Sequence, residues 1–139
     1  MLIRTIYVSR ASSPLPLELK EILAVSRKNN PLRGVSGAMC FLDSVYLQFL
    51  EGDAAIVDAL YQKIEKDSRH SEVKMLVHEP IAQREYPKWS MALLTWNDEM
   101  KAIFSRFNPN SACDLYMADP ATVAALLREW AGTNNWMTV

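Results

Sequence analysis

An α+β sandwich is the fold class this chain predicts, and three observations carry it. Apolar residues mark five short strand-like segments, the last two alternating with a period of two, and follow helical spacing in two others interleaved among them. The order of these segments is strand, helix, strand, strand, helix, strand, strand. Two of the strands are separated only by Asp43-Ser44, which is hairpin chemistry.

Residues 2–9 make the first strand, with Ile3, Thr5 and Tyr7 on one face and Leu2, Ile6 and Val8 on the other. Pro14 and Pro16 open a helix to about Asn30, since proline fits a first turn, and Pro31 ends it. Its stripe Leu19, Ile22, Leu23, Ser26 and Asn30 keeps helical spacing, so two polar residues continue a core-facing line. Residues 35–42 and 45–50 form the hairpin. Asp53 suits the N-cap of a second helix whose inner face carries Val57, Leu60, Ile64 and Asp67.

A fourth strand follows at 72–78, with Val73, Met75 and Val77 alternating, and a fifth at 89–96 after Pro80 and Pro87. The sequence βαββαβ with an added strand is the ferredoxin-like arrangement. Asn97-Asp98 cap a third helix to about Phe107, and Asp119-Pro120 open a fourth that Gly132 stops. The expected organisation is a domain at 1–96 with a helical cap at 97–139. Leu115, Met117, Leu126, Leu127 and Trp130 of the cap either cover the sheet's second face or touch another subunit. Covering the sheet is the preferred use, because an open apolar face is a liability.

Composition narrows the function. Half of the 139 residues are hydrophobic, 22% are charged and the net charge is -1, an ordinary soluble balance. No basic run offers a footprint for nucleic acid, and no stretch of ~18 apolar residues offers a membrane span. The N-terminus lacks the basic start of a secretion signal and reads as a strand. Cys40 and Cys113 stand far apart without metal-ligand spacing, which suits a reduced, cytoplasmic protein with no metal. Four glycines leave no glycine-rich phosphate loop.

Gln48 is the residue out of place, a carboxamide inside the apolar run Val45-Tyr46-Leu47-Gln48-Phe49-Leu50. Burying it without partners costs about 1–3 kcal/mol. It either caps a neighbouring loop or meets a ligand. Periodicity places Tyr7, Ser26, Asn30, Gln48, Ile64 and Asp67 around one cleft between the helices and the sheet. Converging polar groups in an apolar gap suit a flat ligand with a polar edge.

Five separated motifs add to that reading. They are Tyr7-Val8-Ser9-Arg10; Ser26-Arg27 with Asn29-Asn30 and then Gly34-Val35-Ser36-Gly37; Gln48 with Leu50-Glu51-Gly52; Asp67-Ser68-Arg69-His70; and Trp89-Ser90-Met91. In this order and at these strand and helix positions, the first ~95 residues resemble a BLUF domain, the family that senses blue light with a flavin. Ser36 stands where the family commonly has Thr. The last ~40 residues resemble the helical cap of its short, single-domain members, without an enzyme output domain.

The resemblance implies a flavin, usually FAD, with FMN or riboflavin as alternatives, its ring lying between the two helices. Tyr7 matches the electron-donating tyrosine, and Gln48 the glutamine that bridges it to the flavin. Asn30 and Asn29 match the ring-edge positions, Ser26 would orient Gln48, and Ile22 and Ile64 would clamp the ring faces. Asp67, Arg69 and His70 match positions near the ring's pyrimidine end and the ribityl chain. Trp89 and Met91 match the pair whose packing changes on signalling, which side chain points inward being open. It also implies a non-enzymatic photoreceptor, a homo-oligomer that signals to a separate downstream protein.

Plainer readings exist for several of these residues. On pattern alone Trp89 and Met91 are core residues of a strand, His70 complements a helix end, and Arg69 is a solvated charge. Glu51 and Gly52 read as turn chemistry and Cys40 as a small core residue. The rival functions are an acylphosphatase-like hydrolase using Arg10 and a flavin-free interaction module on the same fold. The first lacks a backbone anion loop after the first strand, and the second leaves Tyr7, Gln48 and Asn30 buried without a ligand.

Overall fold

Asp43 and Ser44 both adopt positive φ, 49° and 63°, as the two central residues of a type I′ turn require. In the computed structural model this turn joins β2 (Ser36–Leu42) to β3 (Val45–Asp53) in an antiparallel pair. Residues 1–11, 16–68, 70–110, 112 and 114–137 are described. Pro14, Arg69 and Cys113 therefore lie outside the described residues, as does the side chain of Leu19. On the other edge of β3 runs β1 (Leu2–Ala11), with β4 (His70–Pro80) antiparallel beyond it. The strand order β4-β1-β3-β2 is the ferredoxin-like core the sequence predicts. Two short strands extend it: β5 (Ala92–Leu94), parallel to β2, and β6 (Trp136–Met137), antiparallel to β5.

Alternation along the strands sorts the core into two layers. Ile3, Tyr7, Met39 and Leu50 share one cluster with Ile22 and Leu23 of α1 (Pro16–Arg33) and Val57 of α2 (Ala54–Glu65). Ile6, Val8, Cys40, Leu47 and Phe49 project the other way. They pack under Met100 and Phe104 of α3 (Asp98–Phe107) and Val123, Leu126, Leu127 and Trp130 of α4 (Val123–Ala131), with Leu115 from a single 3₁₀ turn (Leu115–Met117). The C-terminal apolar residues thus cover the second face of the sheet, apart from Met117, which is exposed.

Several boundaries differ from the sequence expectation. Pro31 does not end α1, which continues to Arg33. A proline one turn from a helix end forfeits a single backbone bond. Closure comes instead at Gly34, with φ +67°, where Gly34 N–H donates to Pro31 O and Val35 N–H to Asn30 O in a Schellman motif. Asp53 precedes α2 without a side-chain capping bond and instead pairs with the N-terminal amine at 3.3 Å. α4 begins at Val123, with Asp119-Pro120 forming a turn ahead of it: Asp119 Oδ1 accepts from Ala121 N–H. The fifth strand is only three residues long. Trp89 and Met91 lie on the irregular segment leading into it, and β6 has no counterpart in the sequence reading.

Candidate functional site

Tyr7 and Gln48 face each other directly in the β1–β3 ladder, so both side chains emerge under the helices. The Tyr7 hydroxyl donates to Gln48 Oε1 in a fully buried hydrogen bond. Burial, with smaller contributions from Tyr61 and Asp67, raises the Tyr7 pKa well above 10.0, so the phenol stays neutral and remains a donor. The other end of the amide meets a weak acceptor: Gln48 Nε2 lies 3.7 Å from Met91 Sδ. An N–H of this carboxamide is thereby left for a stronger acceptor.

A cavity of about 210 Å³ opens beside this pair, between α1, α2 and the sheet. Ile22, Ser26, Asn29 and Asn30 line it from α1, Gln48 and Leu50 from β3, and Ile64 from α2. Asp67, from the turn after α2, His70 at the head of β4 and Met91 complete the predicted part of the lining. Asn30 is 2% exposed and donates its Nδ2 to Ser90 O at 2.7 Å, which leaves its Oδ1 as an acceptor. His70 Nδ1 lies 2.8 Å from Ser9 Oγ, and its ring packs 4.9 Å from that of Tyr46.

The structure thus brings Ile22, Ser26, Asn29, Asn30, Gln48, Ile64, Asp67 and His70 to one cavity, with Tyr7 behind Gln48. Arg69 lies outside the described residues. Leu50, Val25, Arg33, Leu60 and Lys63 also line the cavity and are not among the site residues the sequence predicts. Arg33 is one helical turn beyond Asn29-Asn30, so a helix read through Pro31 would have included it. Lys63 adjoins Ile64 but carries no core-facing pattern of its own.

Met91 and Trp89 part company. Met91 is 1% exposed and belongs to the helix-side core, whereas Trp89 belongs to the opposite core. There its ring stacks on Tyr86 at 4.6 Å and approaches Trp136 at 4.9 Å. Their shared segment is pinned to the sheet by Gly37, whose N–H donates to Trp89 O at 2.7 Å. A Cβ at Gly37 would stand 2.2 Å from Phe49 O, so only glycine fits this approach.

Glu51 is a strand residue of β3 and not the turn residue its neighbours suggest. Its carboxylate is fully buried and accepts from Ser36 Oγ at 3.0 Å, Glu85 N at 3.0 Å and Tyr86 N at 2.7 Å. The segment that ends in Met91 is therefore tied to the sheet just upstream. Arg4 reinforces it, reaching Glu85, which is also held by Arg128 of α4 at 3.2 Å.

A flat heterocycle with an apolar body and donors and acceptors on one edge fits this wall, which offers an amide N–H from Gln48 and a carbonyl from Asn30. Residues 2–92 match the model of a family described as sensors of blue-light using FAD. The chain belongs to that family, BLUF. Photoactivated adenylate cyclase subunit beta of Euglena longa is 32% identical over 100 residues, which is 70% of this chain and 11% of that protein. The chain spans about a tenth of the length of the curated relatives it matches.

BLUF proteins of known structure superpose on most of the chain. BlsA in its photo-activated state gives a TM-score of 0.87 at 27% identity, over 97% of this chain and 98% of that one. Its ground state gives 0.86 at 28%, over 97% and 91%. The BLUF protein BlrB in its dark state gives 0.76 at 25% identity, over 94% of both chains. Blue-light sensing with FAD is the function that BLUF membership assigns to this chain, and the α+β architecture is that of BlsA and BlrB. Among the described residues no helix is long and apolar enough to cross a membrane.

Proposed function

We propose that this BLUF protein converts blue light into a rearranged hydrogen bond at Gln48 and passes it to a separate protein through the Ser90-Met91 segment. The observation that carries this reading is the buried chain of contacts Tyr7 Oη, Gln48 Oε1, Gln48 Nε2 and Met91 Sδ along one side of the cavity.

FAD, when bound, supplies blue-light absorption and an oxidising excited state. Ile22 and Ile64 would hold its apolar faces, Gln48 and Asn30 its polar edge, with Asn29 beside Asn30 and Ser26 orienting Gln48. Asp67, Arg69 and His70 would serve the pyrimidine end and the ribityl chain. FMN and riboflavin carry the same ring and suit the same residues.

Tyr7 gives an electron and its phenolic proton toward the cavity, with Gln48 as the relay, and then recovers both. A neutral phenol is needed for this, and burial keeps Tyr7 neutral. Gln48 emerges with its amide ends exchanged or tautomerised. In the exchanged form an oxygen faces Met91 Sδ where an N–H stood, so Met91 loses its donor. The change biases the packing of the segment that Met91 and Trp89 share, a local switch acting on a two-state element.

In this reading residues 1–96 are the sensor and 97–139 a cap, and the chain has no catalytic activity of its own. A cytoplasmic homo-oligomer with a separate downstream protein fits it, as the occurrence of similar sequence within proteins named as adenylate cyclases supports transfer of the signal to another module. The test is a light-minus-dark absorption spectrum of the purified protein with its flavin extracted and identified. Wild type should show a reversible red shift, and Tyr7→Phe should retain flavin and lose the shift. A normal photocycle in Tyr7→Phe would remove Tyr7 from the mechanism.

A further inference from the structure

Arg27 sits outside the cavity and yet touches both the segment beside Gln48 and the C-terminal strand. Its Nε donates to Met91 O at 3.1 Å, and one terminal nitrogen lies 3.4 Å from Met137 O in β6. A guanidinium presents its donors as a rigid fork, so one side chain can hold two carbonyls in fixed relation. Three residues further along α1, Asn30 lines the cavity and holds Ser90 O. One helix therefore grips consecutive carbonyls of the Ser90-Met91 segment, and through Arg27 it also grips a strand 110 residues away in sequence.

Among the described residues β6 is short, and the chain entering it is anchored at Asn135 O, which accepts from Thr95 N–H at 2.7 Å. Among the described residues the β6 ladder with β5 has two registered pairs, Leu93 with Met137 and Leu94 with Trp136. Trp136 also leans on Trp89. Such a strand, two residues long at a sheet edge, has little stability of its own and follows its contacts. It meets both branches of the signalling segment, Met91 through Arg27 and Trp89 through Trp136.

We propose that Arg27 is the positioning residue that ties the state of the Gln48–Met91 pair to β6, so that the C-terminal strand loosens when the amide rearranges. This rests on the photoreceptor reading above. A shift of Met91 O away from Arg27 breaks the fork, and the bond to Met137 O, the longer of the two, is lost with it.

Hydrogen exchange on the flavin-loaded full chain, in the dark and under blue light, tests this, with the absorption shift recorded on the same samples. Amides of residues 135–137 in wild type should exchange about tenfold faster in light, the worth of one hydrogen bond from a charged donor. Arg27→Gln should retain flavin and the light-driven shift, and exchange fast at 135–137 in both states. Arg27→Lys, which reaches one carbonyl at a time, should fall between. Trp136→Ala, which leaves the fork in place, should keep a light-dependent difference.

A full wild-type difference in Arg27→Gln, or loss of the difference in Trp136→Ala alone, would assign the coupling to Trp89 and overturn the proposal. An Arg27→Gln protein that fails to fold transfers the decision to Arg27→Lys: a wild-type difference there also overturns it. Absence of any absorption shift in wild type refutes the photoreceptor reading, whereas a shift without change at 135–137 refutes only the tie.

Discussion

Met91 Sδ lies 3.7 Å from Gln48 Nε2, while the ring of Trp89, two residues earlier, stacks 4.6 Å from Tyr86 on the far side of the sheet. Changes at the two positions should therefore separate. Met91→Leu nearly conserves volume and should cost less than about 1.5 kcal/mol, while altering the rate of dark recovery. Trp89→Ala should cost about 3–5 kcal/mol of stability and leave the dark absorption band in place. Urea unfolding and dark-recovery kinetics on both variants check this. An unchanged recovery in Met91→Leu beside a changed one in Trp89→Ala would reverse the assignment.

At Gln48, binding and switching should come apart. Gln48→Leu and Gln48→Glu are both expected to hold flavin, because the Asn30 carboxamide proposed for the ring edge is kept, and to lose the wild-type red shift. Leucine leaves the Tyr7 hydroxyl without its acceptor, at a cost of about 1–3 kcal/mol. Difference spectroscopy beside wild type decides: a slowly reverting shift in Gln48→Leu sinks the hydrogen-bond switch.

Asn30→Ala removes a cavity carboxamide and the bond to Ser90 O together. Flavin affinity should fall by roughly fivefold or more, from loss of at least one hydrogen bond worth about 1 kcal/mol. Titration of the apoprotein with free flavin measures it, and unchanged affinity contradicts the placement.

Glu51→Gln tests the anchor of the segment at 85–91. Both carboxylate oxygens accept hydrogen bonds, so either orientation of an amide turns an NH₂ against a donor. A loss of about 1–3 kcal/mol is expected. Faster amide exchange at 85–91 should accompany it, and a stability equal to wild type would show that the anchor is not needed.

Stability should fall on the alkaline side. Burial lifts the Cys40 thiol from 9.0 to about 12 and, in the main, the Tyr86 phenol from 10.0 to about 12. Both groups are therefore protonated in the fold at a pH where the unfolded chain loses its protons. Their stabilisation is full below the unfolded values and is lost as pH rises toward the folded ones. Urea midpoints should decline from pH 9 upward, and Cys40→Ala should flatten the first part of that decline. Identical slopes for the two proteins would exclude Cys40 as its source.

Much of this was legible in the chain. Period-two patterning put Tyr7 and Gln48 on inward faces, and helical spacing put Ser26 and Asn30 on the same side of α1 as Ile22. Asp43-Ser44 fixed the hairpin because few residue pairs accept two positive φ values in a row. These are local signals, each contained within a few residues, and so the cavity lining could be assembled from them. The run from 89 to 96 could not be read that way. A true strand would put Trp89 and Met91 on the same face, but 89–91 is a bend outside β5, pinned by Gly37 and Asn30. The two side chains consequently go to opposite cores. Arg33 and the last turn of α1 depended on Gly34 closing a helix that Pro31 was expected to stop. Strand β6 is too short to have a period, and its contact with Arg27 spans 110 residues. Sequence determined which faces are buried, because burial follows local periodicity; tertiary structure decided what meets across them, because backbone contacts between distant segments leave no periodic trace.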